Sequence, residues 1–310
     1  MKILCLGAGA VGGFFAGRLA EAKAADVTFL VREARKAQLL ADGLCIDSPQ
    51  GNIRMPVRAI TRTEVAGPSD VVFLTCKAYD LDSAIDTIRP AVGPHTAVLP
   101  LLNGLSHIER LNAEFGAERV LGGIAKIAIT LLPDGVIKHL NDWNFITFGE
   151  QDGTLSPRVL ALKAAFDQTS AKSDAVVNIT QQMWEKLVHL ATLASMTCLM
   201  RANVGEIARS PGGVAAMQDM LARNAAIATR AGFPPSPNFM GNFNSMFADP
   251  TGVYAASMLR DIERQGPVEA DHIVGFMLEK ARSFGLDDSL HRLAYLHLKA
   301  YEQRRAAGRL

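Results

Sequence analysis

Five strand-like residues, Lys2–Leu6, run directly into Gly7, Gly9 and Gly12, and this arrangement constrains the fold more than any other feature. It is the pattern G-x-G-x-x-G, with a strand before it and apolar residues at helical spacing after it. The three glycines serve different ends. Gly7 allows a sharp turn, Gly9 lets backbone approach a pyrophosphate, and Gly12 lets the helix pack closely on the strand. The amides at the helix start, within Gly7, Ala8, Gly9, Ala10, Val11 and Gly12, would face phosphates with the positive end of the helix dipole behind them. The alternative is an ordinary glycine-rich strand-to-helix turn.

Residues 11–22 read as a helix and 27–31 as a second strand, a unit of about 30 residues such as a mononucleotide-binding half requires. At the tip of that strand stands Arg32, a residue that accommodates a 2′-phosphate, so the pattern favours NADPH over NADH. The adjacent Glu33 could instead serve a ribose 2′-hydroxyl. Residues 44–46 and 53–59 suggest a hairpin across Ser48-Pro49-Gln50-Gly51-Asn52. Buried strands at 70–75 and 96–99 end at Cys76-Lys77 and just before Asn103-Gly104. Ligands of open parallel sheets lie beyond the carboxyl ends of the strands, where Arg32, Lys77 and Asn103 all fall.

Segments 120–129, 136–139 and 145–148, around Asn141-Asp142, predict antiparallel strands that close the sheet, and 156–172 predicts a helix. The pattern then changes to helical periodicity alone, in 181–201, 214–231, 254–263, 268–284 and 289–301. The expected architecture is α/β: a Rossmann-type dinucleotide-binding domain over 1–178 and an all-helical domain over 179–310.

The length of 310 residues suits two domains, and 49% hydrophobic residues suffice for two cores. With 32 basic and 31 acidic residues the net charge is +1, which argues against nucleic acid or an anionic membrane as partner. Cys5, Cys45, Cys76 and Cys198 have no metal-like spacing and read as reduced residues. The apolar start is too short for a signal-peptide core, and no run approaches the roughly 20 residues of a membrane span. These features predict a soluble, cytoplasmic protein acting on small molecules. An exposed apolar helix among the last four would suit a homodimer.

Lys186, in the run Met183-Trp184-Glu185-Lys186-Leu187, shares a helical face with Leu190, Leu193, Ala194 and Thr197. A lysine on an apolar stripe either loses hydration, which lowers its pKa and suits it to give up a proton, or covers apolar surface with its stem while the ammonium reaches water. Glu269 follows Gly266-Pro267, a plausible helix start, and a carboxylate in a first turn is also favoured simply by the helix dipole.

Together these residues resemble the ketopantoate reductase family, the NADPH-dependent 2-dehydropantoate 2-reductases. The resemblance is carried by GAGAVGG at the start, Val31-Arg32, Thr75-Cys76-Lys77, Leu102-Asn103-Gly104, Met183 to Leu187, and Ser257-Met258 with Glu269 twelve residues after the serine. It implies a Rossmann domain and a helical domain with the active site in the cleft between them. By position it implies that Arg32 and Lys77 hold the 2′-phosphate side of NADPH and that Asn103 lies near nicotinamide and substrate. It further implies that Lys186 is the general acid, and that Ser257 and Glu269 bind or orient a 2-oxo acid. Members that form pantoate typically carry asparagines four and eight residues after the lysine, where this chain has Leu190 and Ala194. The threonine often found beside the acid is also missing from Gln265-Gly266-Pro267-Val268. The departures leave the redox machinery intact and open the substrate to a less polar or bulkier 2-oxo acid or another carbonyl compound, with His189 and Thr197 near enough on the helix to replace part of the lost contacts. A third possibility is an NADP(H)-binding regulator without turnover.

Overall fold

In the computed structural model, which describes residues 1–310, the chain divides into two units. The first comprises Met1–Leu102 and His107–Ile179, and the second Asn103–Ser106 and Thr180–Leu310. The loop Asn103–Ser106 thus groups with the helical unit, although it lies within the first unit's span of sequence.

The first unit contains β1 (Lys2–Leu6), α1 (Ala10–Glu21), β2 (Asp26–Leu30), α2 (Glu33–Asp42), β3 (Leu44–Asp47), β4 (Ile53–Met55) and β5 (Arg58–Ile60). It continues with β6 (Val71–Leu74), α3 (Leu81–Ile88), β7 (Ala97–Pro100), α4 (Ser106–Phe115), β8 (Leu121–Leu131), β9 (Ile137–Glu150), α5 (Pro157–Phe166) and β10 (Lys172–Ala175). One sheet has the order β5-β2-β1-β6-β7 and is parallel throughout. Its strands alternate between two cores: Ile3, Cys5, Phe73 and Leu99 pack on one face, and Leu4, Val72, Leu74 and Val98 on the other. Burial on both faces is why these strands read as unbroken apolar runs.

A second sheet, β10-β9-β3-β4 with β8 paired to β9, corrects three expectations. First, residues 53–59 are not one strand. Pro56 supplies no N–H to a ladder, so pairing of β4 with β3 stops at Met55, and the chain resumes as β5 beside β2 in the other sheet. Second, the strands from 120 to 148 meet the parallel sheet only at its edge, where Val120 forms a single parallel bridge to Val98 of β7; β8 and β9 themselves belong to the second sheet. Third, the two strand segments on either side of Asn141-Asp142 are one strand. β9 runs through both residues, the β8–β9 register shifts between Ile127 and Ile129, and the Asn141 carboxamide oxygen accepts the Ala128 N–H that the shift leaves over, at 3.3 Å. The helix expected over 156–172 ends at Phe166, and an unexpected strand, β10, follows it.

The second unit is helical: α6 (Ile179–Met200), α7 (Val204–Arg209), α8 (Gly213–Arg230), α9 (Pro237–Phe247), α10 (Ser257–Glu263), a π-helical turn at Asp271–Gly275, α11 (Phe276–Ser283) and α12 (Ser289–Ala306). A fully buried polar chain crosses it. Asn224 of α8 donates to Thr192 of α6 at 3.0 Å, and its carboxamide oxygen accepts from His291 Nε2 of α12 at 2.9 Å. Leu293 and Leu296 of α12 are exposed. No helix is long and apolar enough to cross a membrane.

Candidate functional site

The glycine turn meets the three demands read from its spacing. Gly7 has φ +94°, a conformation that penalises any side chain. At Gly12 an added Cβ would lie 2.3 Å from Thr75 Oγ1, 2.8 Å from Gly7 O and 2.9 Å from Cys5 Sγ, so α1 approaches β1 and β6 too closely for any other residue. Gly9 differs from both: a Cβ there meets no atom within 4 Å and would project into open space. The first helical bond, Gly13 N to Gly9 O at 2.8 Å, leaves the amides of Ala10, Val11 and Gly12 without an acceptor inside α1. The turn is braced from below. Thr75 donates to Leu6 O at 2.8 Å, and Cys5, whose thiol burial pushes up to about 12, stays protonated and donates to Gly7 O at 3.3 Å.

Above the turn opens a cleft of about 710 Å³. Gly7, Ala8 and Gly9 line one part of it, and Arg32, Arg35, Thr61, Arg62 and Thr63 line another. Arg32 caps α2 with an extended backbone, and its side chain, 88% exposed, comes within 3.7 Å of Asp80. Arg35 is tied down instead, donating to Ala8 O at 3.2 Å and to Gly135 O at 3.1 Å, so it fixes the loop's far side. Glu33 and Asp80 add carboxylates to the same lining. Lys77 stands exposed at the start of a single 3-10 turn, Ala78–Asp80, beyond that lining.

In the helical unit Lys186 is half-buried on α6, with Leu190 half-buried and Leu193, Ala194 and Thr197 buried along the same face. Trp184, on the opposite side of α6, stacks on Phe233 at 5.9 Å and leans on Phe276 of α11 at 6.1 Å. Thr197 does not replace a lost substrate contact: its hydroxyl is fully buried, donates to Leu193 O at 2.7 Å and accepts from Ala256 N at 3.4 Å. That bond ties α6 to the residue before Ser257, the exposed first residue of α10.

Glu269 is buried and precedes its helix rather than lying in the first turn, since its carbonyl accepts from Ile273 N. The chain leaves α10 through Gln265 at φ +57° and takes no regular secondary structure from Gly266 to Glu269. Contacts from α12 hold this run: Tyr301 donates to Gly266 O at 2.7 Å and Arg305 to Gln265 O at 2.9 Å. The π-helical turn that follows packs against the Asn103–Ser106 loop. An added Cβ at Gly104, itself at φ +90°, would lie 2.8 Å from His272 O, and Ser106 Oγ lies 2.9 Å from His272 Nδ1. The half-buried Asn103 is therefore carried by a loop fixed to the segment just beyond Glu269.

The family described as Ketopantoate reductase PanE/ApbA matches residues 3–153, and its C-terminal counterpart matches 178–302. The chain belongs to the ketopantoate reductase family. Among its relatives, an uncharacterized oxidoreductase, YkpB of Bacillus subtilis, is 34% identical over 97% of this chain and 99% of its own length. A 2-dehydropantoate 2-reductase of Mesorhizobium japonicum is 30% identical over 91% of this chain and 92% of its own. The crystal structure of 2-dehydropantoate 2-reductase from Methylococcus capsulatus superposes with a TM-score of 0.88 at 25% identity, covering 99% of this chain and 98% of that one. This ketopantoate reductase family member is accordingly an oxidoreductase of an NAD(P)H-dependent family.

Arg35, Thr61, Arg62 and Thr63 line the cleft of this family member, although the glycine motif does not single them out. The sequence does hold a signal for three of them. Thr61 to Thr63 follow the end of β5, a strand tip equivalent to the one bearing Arg32, and reading 53–59 as half of a hairpin hides it.

Proposed function

We propose that this protein reduces a 2-oxo acid to the 2-hydroxy acid with NADPH, in the manner of the 2-dehydropantoate 2-reductases. The observation that carries the proposal is the cleft: a glycine cradle open at Gly9, with the guanidinium groups of Arg32 and Arg62 in the same lining. The amides at the start of α1 hold the pyrophosphate. Arg32 and Arg62 face the 2′-phosphate, Lys77 adds charge nearby, and the carboxylates of Glu33 and Asp80 disfavour an anion that fails to engage both arginines. The reduced nicotinamide, when bound, supplies the hydride.

The chain's own residues do the rest. Asn103, Ser257 and Glu269 orient the substrate. As the carbonyl carbon accepts hydride, charge develops on its oxygen, and the Lys186 ammonium stabilises that charge and passes a proton to it, later recovering one from water. 2-Dehydropantoate, which would place the reaction in cytoplasmic pantothenate synthesis, is the first substrate to test. A less polar 2-oxo acid is the second reading, favoured by the apolar Leu190 and Ala194.

The test follows NADPH oxidation with a panel of 2-oxo acids and compares the wild type with Lys186→Ala. The expected result is a fall in kcat of about a hundredfold or more with NADPH affinity kept, the scale of a lost proton donor. An unchanged kcat removes Lys186 from the chemistry. NADPH binding without turnover on any 2-oxo acid would instead make the protein a regulator.

A further inference from the structure

The segment just beyond Glu269 faces two ways. Asp271 and His272 are consecutive on the π-helical turn Asp271–Gly275, so their side chains leave it in different directions. Asp271 meets α12, where it accepts from Tyr295 at 2.6 Å and from Lys299 at 3.2 Å. His272 meets the loop that carries Asn103, where its Nδ1 lies 2.9 Å from Ser106 Oγ. Backbone closes the same contact, because the site of an added Cβ at Gly104 is 2.8 Å from His272 O. Leu102 and Leu105 are buried, and Asn103 and Gly104 between them are half-buried. Glycine gives the middle of this loop the freest backbone of any residue, and the Ser106–His272 bond takes that freedom away. At the head of the same turn Glu269 O accepts from Ile273 N at 3.3 Å, so one short stretch of helix also sets the place of Glu269.

We infer, resting on the reductase reading above, that His272 is a positioning residue for that reaction: it holds Asn103, through Ser106 and Gly104, in register with Glu269. The two groups come from distant parts of the sequence, and nothing local to either sets the distance between them. His272 supplies that link. A binding group has to be held within about 0.5 Å of its productive place by the bonds behind it, and an error of about 1 Å can cost about a hundredfold in rate. Loss of His272 therefore acts on turnover through Asn103 and leaves the phosphate cradle at Gly9 unchanged.

The experiment measures kcat/KM with NADPH for the best substrate of the 2-oxo acid panel, which includes 2-dehydropantoate and 2-oxoisovalerate. His272→Leu should lower it about tenfold or more, the lower part of the range for a misplaced group, with NADPH affinity kept as a check on folding. His272→Asn, whose carboxamide reaches the place of Nδ1, should recover most of that loss. Ser106→Ala removes the same bond by deleting one oxygen and should show the loss even where His272→Leu fails to fold. The decisive measurement repeats both substitutions in an Asn103→Ala background. Acting through Asn103, they cost almost nothing further there, whereas a merely structural role costs the same again. A full second loss, no loss from Ser106→Ala in the wild type, or full activity of Asn103→Ala overturns the inference and leaves the reductase reading standing. Turnover of no 2-oxo acid, with NADPH still bound, overturns both.

Discussion

Two glycines three residues apart should respond to the same substitution in opposite ways. Gly12→Ala puts a methyl 2.3 Å from Thr75 Oγ1, closer than real Cβ contacts come, and the two other close atoms are Gly7 O and Cys5 Sγ. Relief requires α1 to lift from the sheet or Thr75 to rotate away from Leu6 O, its partner at 2.8 Å. Overpacking costs about 1–3 kcal/mol and a lost hydrogen bond about 1 kcal/mol, against a helix-propensity gain of up to about 1 kcal/mol. The net is a destabilisation of about 1–3 kcal/mol. Gly9 sits at φ −82°, ψ −166°, an extended conformation open to alanine, and the new methyl touches no protein atom. Gly9→Ala should leave stability unchanged or raise it by about 0.4–1 kcal/mol through the unfolded chain. It should nevertheless weaken NADPH tenfold or more, about 1.4 kcal/mol, because the methyl occupies the phosphate's approach. Urea unfolding midpoints and NADPH fluorescence titrations on both variants measure the pair. In addition, Thr75→Ala in the Gly12→Ala background should recover part of the loss, a coupling that only contacting residues produce. Undiminished NADPH binding by Gly9→Ala would refute the assignment of that open space to the pyrophosphate.

Burial holds the His291 imidazole down at about 4, so the folded state keeps it neutral while the unfolded chain protonates it near 6.5. Its contribution is therefore complete above pH 6.5 and drains away as pH falls towards 4, by about 3 kcal/mol in all. His291→Gln, which can still donate to Asn224, should flatten that part of the stability profile, and an equally steep profile would exclude His291 as its source. Arg32→Ala should weaken NADPH much more than NADH, because only NADPH carries the 2′-phosphate. Equal losses measured by titration would overturn the NADPH assignment.

The glycine turn is legible in the sequence because its requirements are local: a positive φ at Gly7, a missing side chain at Gly12 and an open side at Gly9 are each met by one residue type at one position. Local rules mislead where distant contacts decide. Proline at a first helical position is a sound expectation for Pro267, yet the chain there is not helical and helix begins only after Glu269. Two bonds arriving from α12, to Gln265 O and Gly266 O, hold the backbone out of the helix, and no window around Pro267 contains their donors, Tyr301 and Arg305.

Lys186 illustrates the remaining case, in which the sequence leaves two environments open and tertiary packing chooses between them. Its apolar stripe allows a buried amine or a solvated one, and the structure gives a half-buried residue on a helix whose Glu185 and His189 hold α9. That helix is hidden in the sequence because Pro234-Pro235-Ser236-Pro237 has the composition of a loop. Ser236 is in fact the cap, accepting from Phe239 N, and Pro237 the first helical residue. The same prolines that hide α9 thus start it against the Glu185 carboxylate, one residue before the lysine in the sequence.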